Sequence, residues 1–87
     1  MGKIKQNYQM RGFKRNRFEE YFKNIGGIET SRGVFESSDW KVILSDEESV
    51  TIGSIKFPEV DVEIICDESV YDEFIESYKI KFLTAGG

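Results

Sequence analysis

The chain has 87 residues, of which 39% are hydrophobic and 32% charged, with a net charge of −4 at neutral pH. That is enough for one domain over residues 1–87, too apolar for disorder, and too short to enclose a deep cofactor cavity. There is no histidine and a single cysteine, Cys66, so an intrachain disulfide, a Ser-His-Asp triad and a histidine-based zinc site are all excluded within this chain.

No apolar run approaches the ~20 residues of a membrane span, and Met1-Gly2-Lys3-Ile4-Lys5 lacks the apolar stretch of a signal peptide. These features predict a cytoplasmic protein with no membrane partner. The charge is unevenly spread. Residues 1–24 hold seven cations against two carboxylates, and the other 63 residues hold five against fourteen. The bulk acidity argues against nucleic-acid binding, whereas the basic end suits a small anion or an acidic protein surface.

Lys3 to Met10 alternates, with Ile4, Gln6, Tyr8 and Met10 on one face, which predicts a strand with one wet side. Gly12 breaks it. Phe18, Tyr21, Phe22 and Ile25 then follow at i, i+3, i+4 and i+7, the stripe of an amphipathic helix. Asn16 with Glu19 offers a capping box, although a start nearer Lys14 fits equally, and Gly26 supplies the left-handed residue that ends the helix. Four extended segments come next: Ile28 to Ser31 with Val34-Phe35 near it, Trp40 to Leu44, Val50 to Phe57 with an interruption at Gly53-Ser54, and Val60 to Cys66. The interruption reads as a bulge or tight turn, and Pro58 as a boundary or an edge. Ser69 with Asp72 resembles a helix start. Val70, Tyr71, Phe74, Ile75 and Tyr78 keep helical spacing, and residues 79–84 fit helix or strand. The order β-α-β-β-β-β-α describes an α+β domain with an antiparallel sheet and both helices on one face.

Few residues offer chemistry. Arg11, Lys14, Arg15 and Arg17 surround the start of the first helix, whose free N–H groups and dipole favour an anion such as phosphate or a pterin phosphate. A solvated helix face is the competing reading. The acidic sets Asp46-Glu47-Glu48 and Asp67-Glu68 with Asp72-Glu73 lack EF-hand spacing, and read as a turn and as first-turn acids. Cys66 ends a buried-looking alternation beside two acids, the setting of a core thiol and not of a nucleophile. Trp40 and the other aromatics sit at core spacings. No metal or cofactor is expected, and no enzymatic activity.

Two resemblances refine this. The ending Ile80-Lys81-Phe82-Leu83-Thr84-Ala85-Gly86-Gly87 is similar to the tail of the molybdopterin-synthase small subunit. A terminal Gly-Gly without side chains threads an adenylating enzyme's channel, and the resemblance would make Gly87 the modified residue of a sulfur carrier. The helix directly after the first strand departs from that family's β-grasp pattern, which opens on a hairpin. The whole chain, through Met10-Arg11-Gly12-Phe13-Lys14-Arg15, Phe18…Tyr21-Phe22…Gly26-Gly27, Trp40-Lys41-Val42, Val50-Thr51-Ile52-Gly53 and Phe57-Pro58, resembles the C-terminal domain of MoaD-related (molybdopterin-synthase small-subunit-like) proteins, here as a stand-alone domain. That resemblance implies a TBP-like α+β fold ending in a helix. It also implies a non-catalytic accessory domain associated with molybdenum or tungsten cofactor assembly, whose partner is another protein such as a cofactor-assembly or adenylating enzyme. Diglycine-tailed carrier is the alternative.

Overall fold

A computed structural model describes residues 2–83. Strand β1 (Lys3–Arg11) leads into helix α1 (Arg15–Asn24). Strands β2 (Ile28–Ser31), β3 (Val34–Glu36), β4 (Trp40–Leu44), β5 (Glu48–Ile52) and β6 (Ile55–Asp67) follow, and helix α2 (Glu68–Phe82) closes the order. The sheet is antiparallel in the order β1-β6-β4-β3-β2, with β5 paired to the first part of β6. This is the α+β layout expected from the alternation and implied by the resemblance, with α2 running helical through Phe82.

Five strands separate the helices where the alternation suggests four, because the chain between Ile28 and Phe35 folds back at Arg32-Gly33 into the paired β2 and β3. The Gly53-Ser54 interruption moves a boundary without adding a strand, since Ile55 to Phe57 joins the next segment in β6. Gly53, at φ 65°, opens a two-residue loop between the paired Ile52 and Ile55. Positive φ at the first loop position is the type II′ hairpin pattern, whose twist matches that of the flanking strands. The interruption is therefore a full reversal. Pro58 does not end a strand either. Its carbonyl accepts from Gly12 N–H at 2.9 Å. A residue's N–H and C=O point to the same side of a strand, so the N–H that proline lacks faces the side where β1 has just ended.

Register explains the core. Tyr8 and Leu44 both lie opposite Val62, Met10 lies opposite Val60, Val42 opposite Ile64, and Trp40 opposite Cys66. Directly opposed residues share a face, so these side chains line one side of the sheet. Met10, Trp40, Val42, Leu44, Val60, Val62, Ile64 and Cys66 are buried there, together with Phe18 and Phe22 of α1 and Ile75, Tyr78 and Phe82 of α2. Lys5, Asn7, Gln9 and Asp61 occupy the opposite, wet side. The result is a two-layer domain with both helices on one face.

Of the two starts the sequence offers for α1, the chain takes the one nearer Lys14, whereas α2 starts earlier than expected. The N-cap of α1 is Lys14, with no side-chain cap. Glu19 turns to Arg15 at i+4 instead of completing a box with Asn16. The carboxylate that satisfies the Arg15 N–H comes from Glu47, beyond β4, at 2.7 Å. Helix α2 is capped by Asp67, two residues before Ser69. Its Oδ1 accepts from Ser69 N–H at 3.0 Å and Ser69 Oγ at 2.9 Å, and these bonds hold the Asp67 carboxyl below its usual range. The end of α1 is as expected. Gly26 at φ 102° donates to Lys23 O and Gly27 to Phe22 O, the paired bonds of a Schellman motif.

Candidate functional site

The four cations nominated from sequence do not form one cluster. Arg11, at the end of β1, pairs with Glu59 across the ladder, Nε to Oε2 at 2.7 Å. Arg15 turns inward. Its Nε donates to Ser45 O at 2.9 Å and its Nη1 to Glu19 Oε2 at 3.0 Å. Gly33 leaves space for this guanidinium, since a Cβ there would lie 2.5 Å from Arg15 Nη2 and 2.8 Å from Leu44 O. Arg15 therefore ties α1 to the end of β4 and to the β2–β3 turn. Lys14 and Arg17 remain exposed, and no ion pair among the described residues holds either. Lys14 lies over a polar hollow shared with Asn16, Arg32, Asp46 and Glu47. Arg17 faces the other way, toward α2.

Other charges of the basic segment meet acids from the rest of the chain. Lys5 approaches Glu63 at 3.7 Å and Lys23 approaches Glu29 at 3.9 Å. Each exposed pair contributes little stability, but together they neutralise much of the asymmetry seen in the sequence.

Cys66 is fully buried. Burial pushes its thiol pKa up, and the nearby Asp67 and Asp39 carboxylates add to the rise. That leaves the protonated form, which is a poor nucleophile and a poor metal ligand. The acidic sets do not converge either: among the described residues no group of three or more cysteines and carboxylates could hold a metal ion. No helix of the described residues is long and apolar enough to cross a membrane. Gly86 and Gly87 lie outside the described residues.

Sequence reasoning missed the space between the two helices. Phe18 meets Phe82 at 4.6 Å between ring centroids, and Phe22 meets Phe74 at 6.3 Å. The start of α1 thus faces the end of α2, and the helices run antiparallel. Among the described residues no Cα of α1 comes within 8 Å of one of α2. Aromatic rings fill the floor between them: Phe13 and Tyr21 both pack on Phe82, each at 5.3 Å, and Trp40 on Phe74 at 5.1 Å. Above this floor lies a groove of two joined hollows. The larger, about 730 Å³, is lined by Phe13, Arg17, Ile80, Lys81 and Phe82. The smaller, about 260 Å³, is lined by Asp39, Trp40, Val70, Glu73 and Phe74. Tyr21, Ile25 and Ser77 belong to both. Ile25 was read as the last member of the buried stripe, yet as the C-cap of α1 it stays 40% exposed at the groove wall.

Fold and surface together define a small two-layer α+β domain whose most distinctive surface is an aromatic-floored groove between antiparallel helices. The chain belongs to the archaeal MoaD-like protein family, which matches it over residues 6–87, nearly its whole length. No curated protein matches the chain.

Proposed function

We propose that this domain is a non-catalytic interaction module of molybdopterin (Mo/W) cofactor assembly or of the sulfur transfer that feeds it, acting through contact with a partner protein. Membership of the MoaD-like family is the observation that carries the reading. The groove supports it, because open concave surfaces floored by aromatic rings are where protein segments find anchors. Lys14 and Arg17 are the contact candidates among the nominated cations, since Arg11 and Arg15 already have carboxylate partners.

The test is association in solution with the molybdopterin-synthase large subunit and with the adenylating enzyme of the same organism, by analytical ultracentrifugation at micromolar concentration. A complex with either supports the module. Monomeric sedimentation with both overturns it.

A second reading makes Gly87 the site of chemistry, and the residues Ala85-Gly86-Gly87 at the end of the matched range favour it. It requires Gly87 to carry a free carboxylate. That carboxylate would attack the α-phosphate of ATP and release pyrophosphate. Hydrosulfide would then attack the acyl carbon, displace AMP and leave a thiocarboxylate. Intact mass after incubation with ATP, a sulfur donor and the adenylating enzyme shows the exchange of one oxygen for sulfur if this reading holds. An unchanged mass counts against it.

A further inference from the structure

The groove between α1 and α2 is floored by aromatic rings and oppositely charged at its two ends. Arg17 and Lys81 stand at one end, bordered by Glu20 and Asn24 on the α1 side. Asp39 and Glu73 stand at the other. None of Arg17, Lys81, Asp39 and Glu73 takes part in an ion pair among the described residues. At the cationic end two positive charges face the one carboxylate of Glu20, and no cation lines the acidic hollow.

Apolar side chains line the walls at solvent level. Ile25 is 40% exposed and Ile80 60% exposed, and the ring floor lies beneath them. From Val70 to Lys81 the α2 wall covers eleven helical steps, about 16 Å, which matches a partner helix of about three turns. Two hollows joined at Ser77 offer two anchor positions, the arrangement that an amphipathic helix fills with side chains about one or two turns apart.

We propose that this groove seats an amphipathic helix of a partner protein, with apolar anchors in the two hollows, a carboxylate over Arg17 and Lys81, and a cation over Asp39 and Glu73. The charge polarity of the rim sets the direction in which the helix lies, and the apolar floor supplies the affinity. This inference rests on the reading of the chain as an interaction module.

The probes are two fluorescein-labelled three-turn helical peptides with leucine anchors on one face. One carries glutamate at one end and lysine at the other. Its companion carries lysine at both ends. Anisotropy on the intact chain should show the first peptide binding about five- to tenfold tighter, the ratio that exchanging an exposed attraction for a repulsion yields. Amide shifts should fall on Tyr21, Ile25, Ser77 and Lys81. In the double variant Arg17→Glu, Lys81→Glu the preference should invert, and Ile80→Asp should weaken both peptides. Equal affinity for the two peptides, an unchanged preference in the double variant, or shifts on the wet face of the sheet at Asn7, Gln9 and Asp61 would overturn the proposal.

The sedimentation experiment, repeated with the double variant and with Ile80→Asp, separates this proposal from the reading beneath it. A partner enzyme that binds these variants undiminished removes the groove and leaves the module. Peptides that behave as expected while no partner enzyme binds leave the groove and remove the role in cofactor assembly.

Discussion

Tyr78 offers a sharp test of how the two layers are packed. Its side chain is fully buried, stacked near Phe22 and tilted against Tyr8 and Phe82, and its hydroxyl has no hydrogen-bond partner among the described residues. A buried hydroxyl without a partner costs about 1–3 kcal/mol. Replacing Tyr78 with Phe removes that cost and leaves behind only the void of one oxygen. The variant should gain about 1 kcal/mol at pH 7, a rise in Tm of about 4–8 °C for a domain this size. Burial raises the Tyr78 pKa well above 10, with the Tyr8 and Tyr21 phenols adding to it. A raised folded pKa means that this contribution is intact below pH 10. Above pH 10 the unfolded chain ionises while the folded one keeps its proton, so stability falls by about 1.4 kcal/mol per pH unit. Tyr78→Phe should lose that slope. Tyr8 and Tyr21, whose pKa values burial also raises, titrate in both proteins and cancel in the difference. Urea unfolding followed by the fluorescence of Trp40, the sole tryptophan, gives both quantities at pH 7, 10 and 11. A Tyr78→Phe variant less stable at pH 7, with the alkaline slope of the parent, refutes the reasoning, because it requires a hydroxyl that is hydrogen-bonded and free to ionise.

Two further substitutions separate structural residues from surface ones. Arg15→Ala should cost about 2–3 kcal/mol, since it strands Ser45 O and removes a mostly buried ion pair, whereas Arg11→Ala, at an exposed guanidinium, should cost under about 1 kcal/mol; equal losses in urea unfolding would contradict the division drawn between them. Gly27→Ala should destabilise by about 2–3 kcal/mol, because its Cβ would meet Trp40 Cη2 at 2.5 Å and Phe22 O at 2.7 Å. The Trp40 emission maximum should shift with it, and an unchanged spectrum and stability would show that the indole yields freely.

The parts of this fold that were legible in the sequence are those set by local periodicity. Val60 to Cys66 alternates cleanly because the central strand β6 buries one face along that stretch beneath the helices, beside Met10, Val42 and Leu44. The α1 stripe is legible for the same reason at period 3.6. What periodicity missed depends on chain-distant partners. Glu47 caps α1 from 32 residues away, and no local pattern encodes that pairing. Pro58 reads as a boundary or an edge because its lost donor is visible in the sequence, but the side on which that donor would have pointed is not. The groove was hidden by its composition: Tyr21, Phe74 and Phe82 sit at core spacing and do pack as core, and only the separation of the helices leaves their upper edges as a floor.

The basic segment shows what composition alone leaves out of a functional reading. Cations gathered at a helix start suggest an anion site, since such an excess is unfavourable unless something negative meets it. Here the fold itself supplies carboxylates: Glu63 to Lys5, Glu59 to Arg11, Glu19 to Arg15, Glu29 to Lys23, and Glu47 to the helix terminus. Apart from Glu19, these acids lie outside residues 1–24, so the sequence asymmetry serves largely as complementarity between that segment and the rest of the chain. A residue left without such a partner among the described residues is then more informative than the cluster was. Arg17 is one, and it stands beside Lys81 on the last turn of α2, the turn that leads covalently toward Gly86-Gly87. A partner helix aligned by its carboxylate would lie against this turn, and Gly87 follows it in sequence. The double variant Arg17→Glu, Lys81→Glu should weaken a complex that uses the groove, and binding and intact mass, read separately on that variant, tell whether the partner contact and the chemistry at Gly87 depend on the same charges.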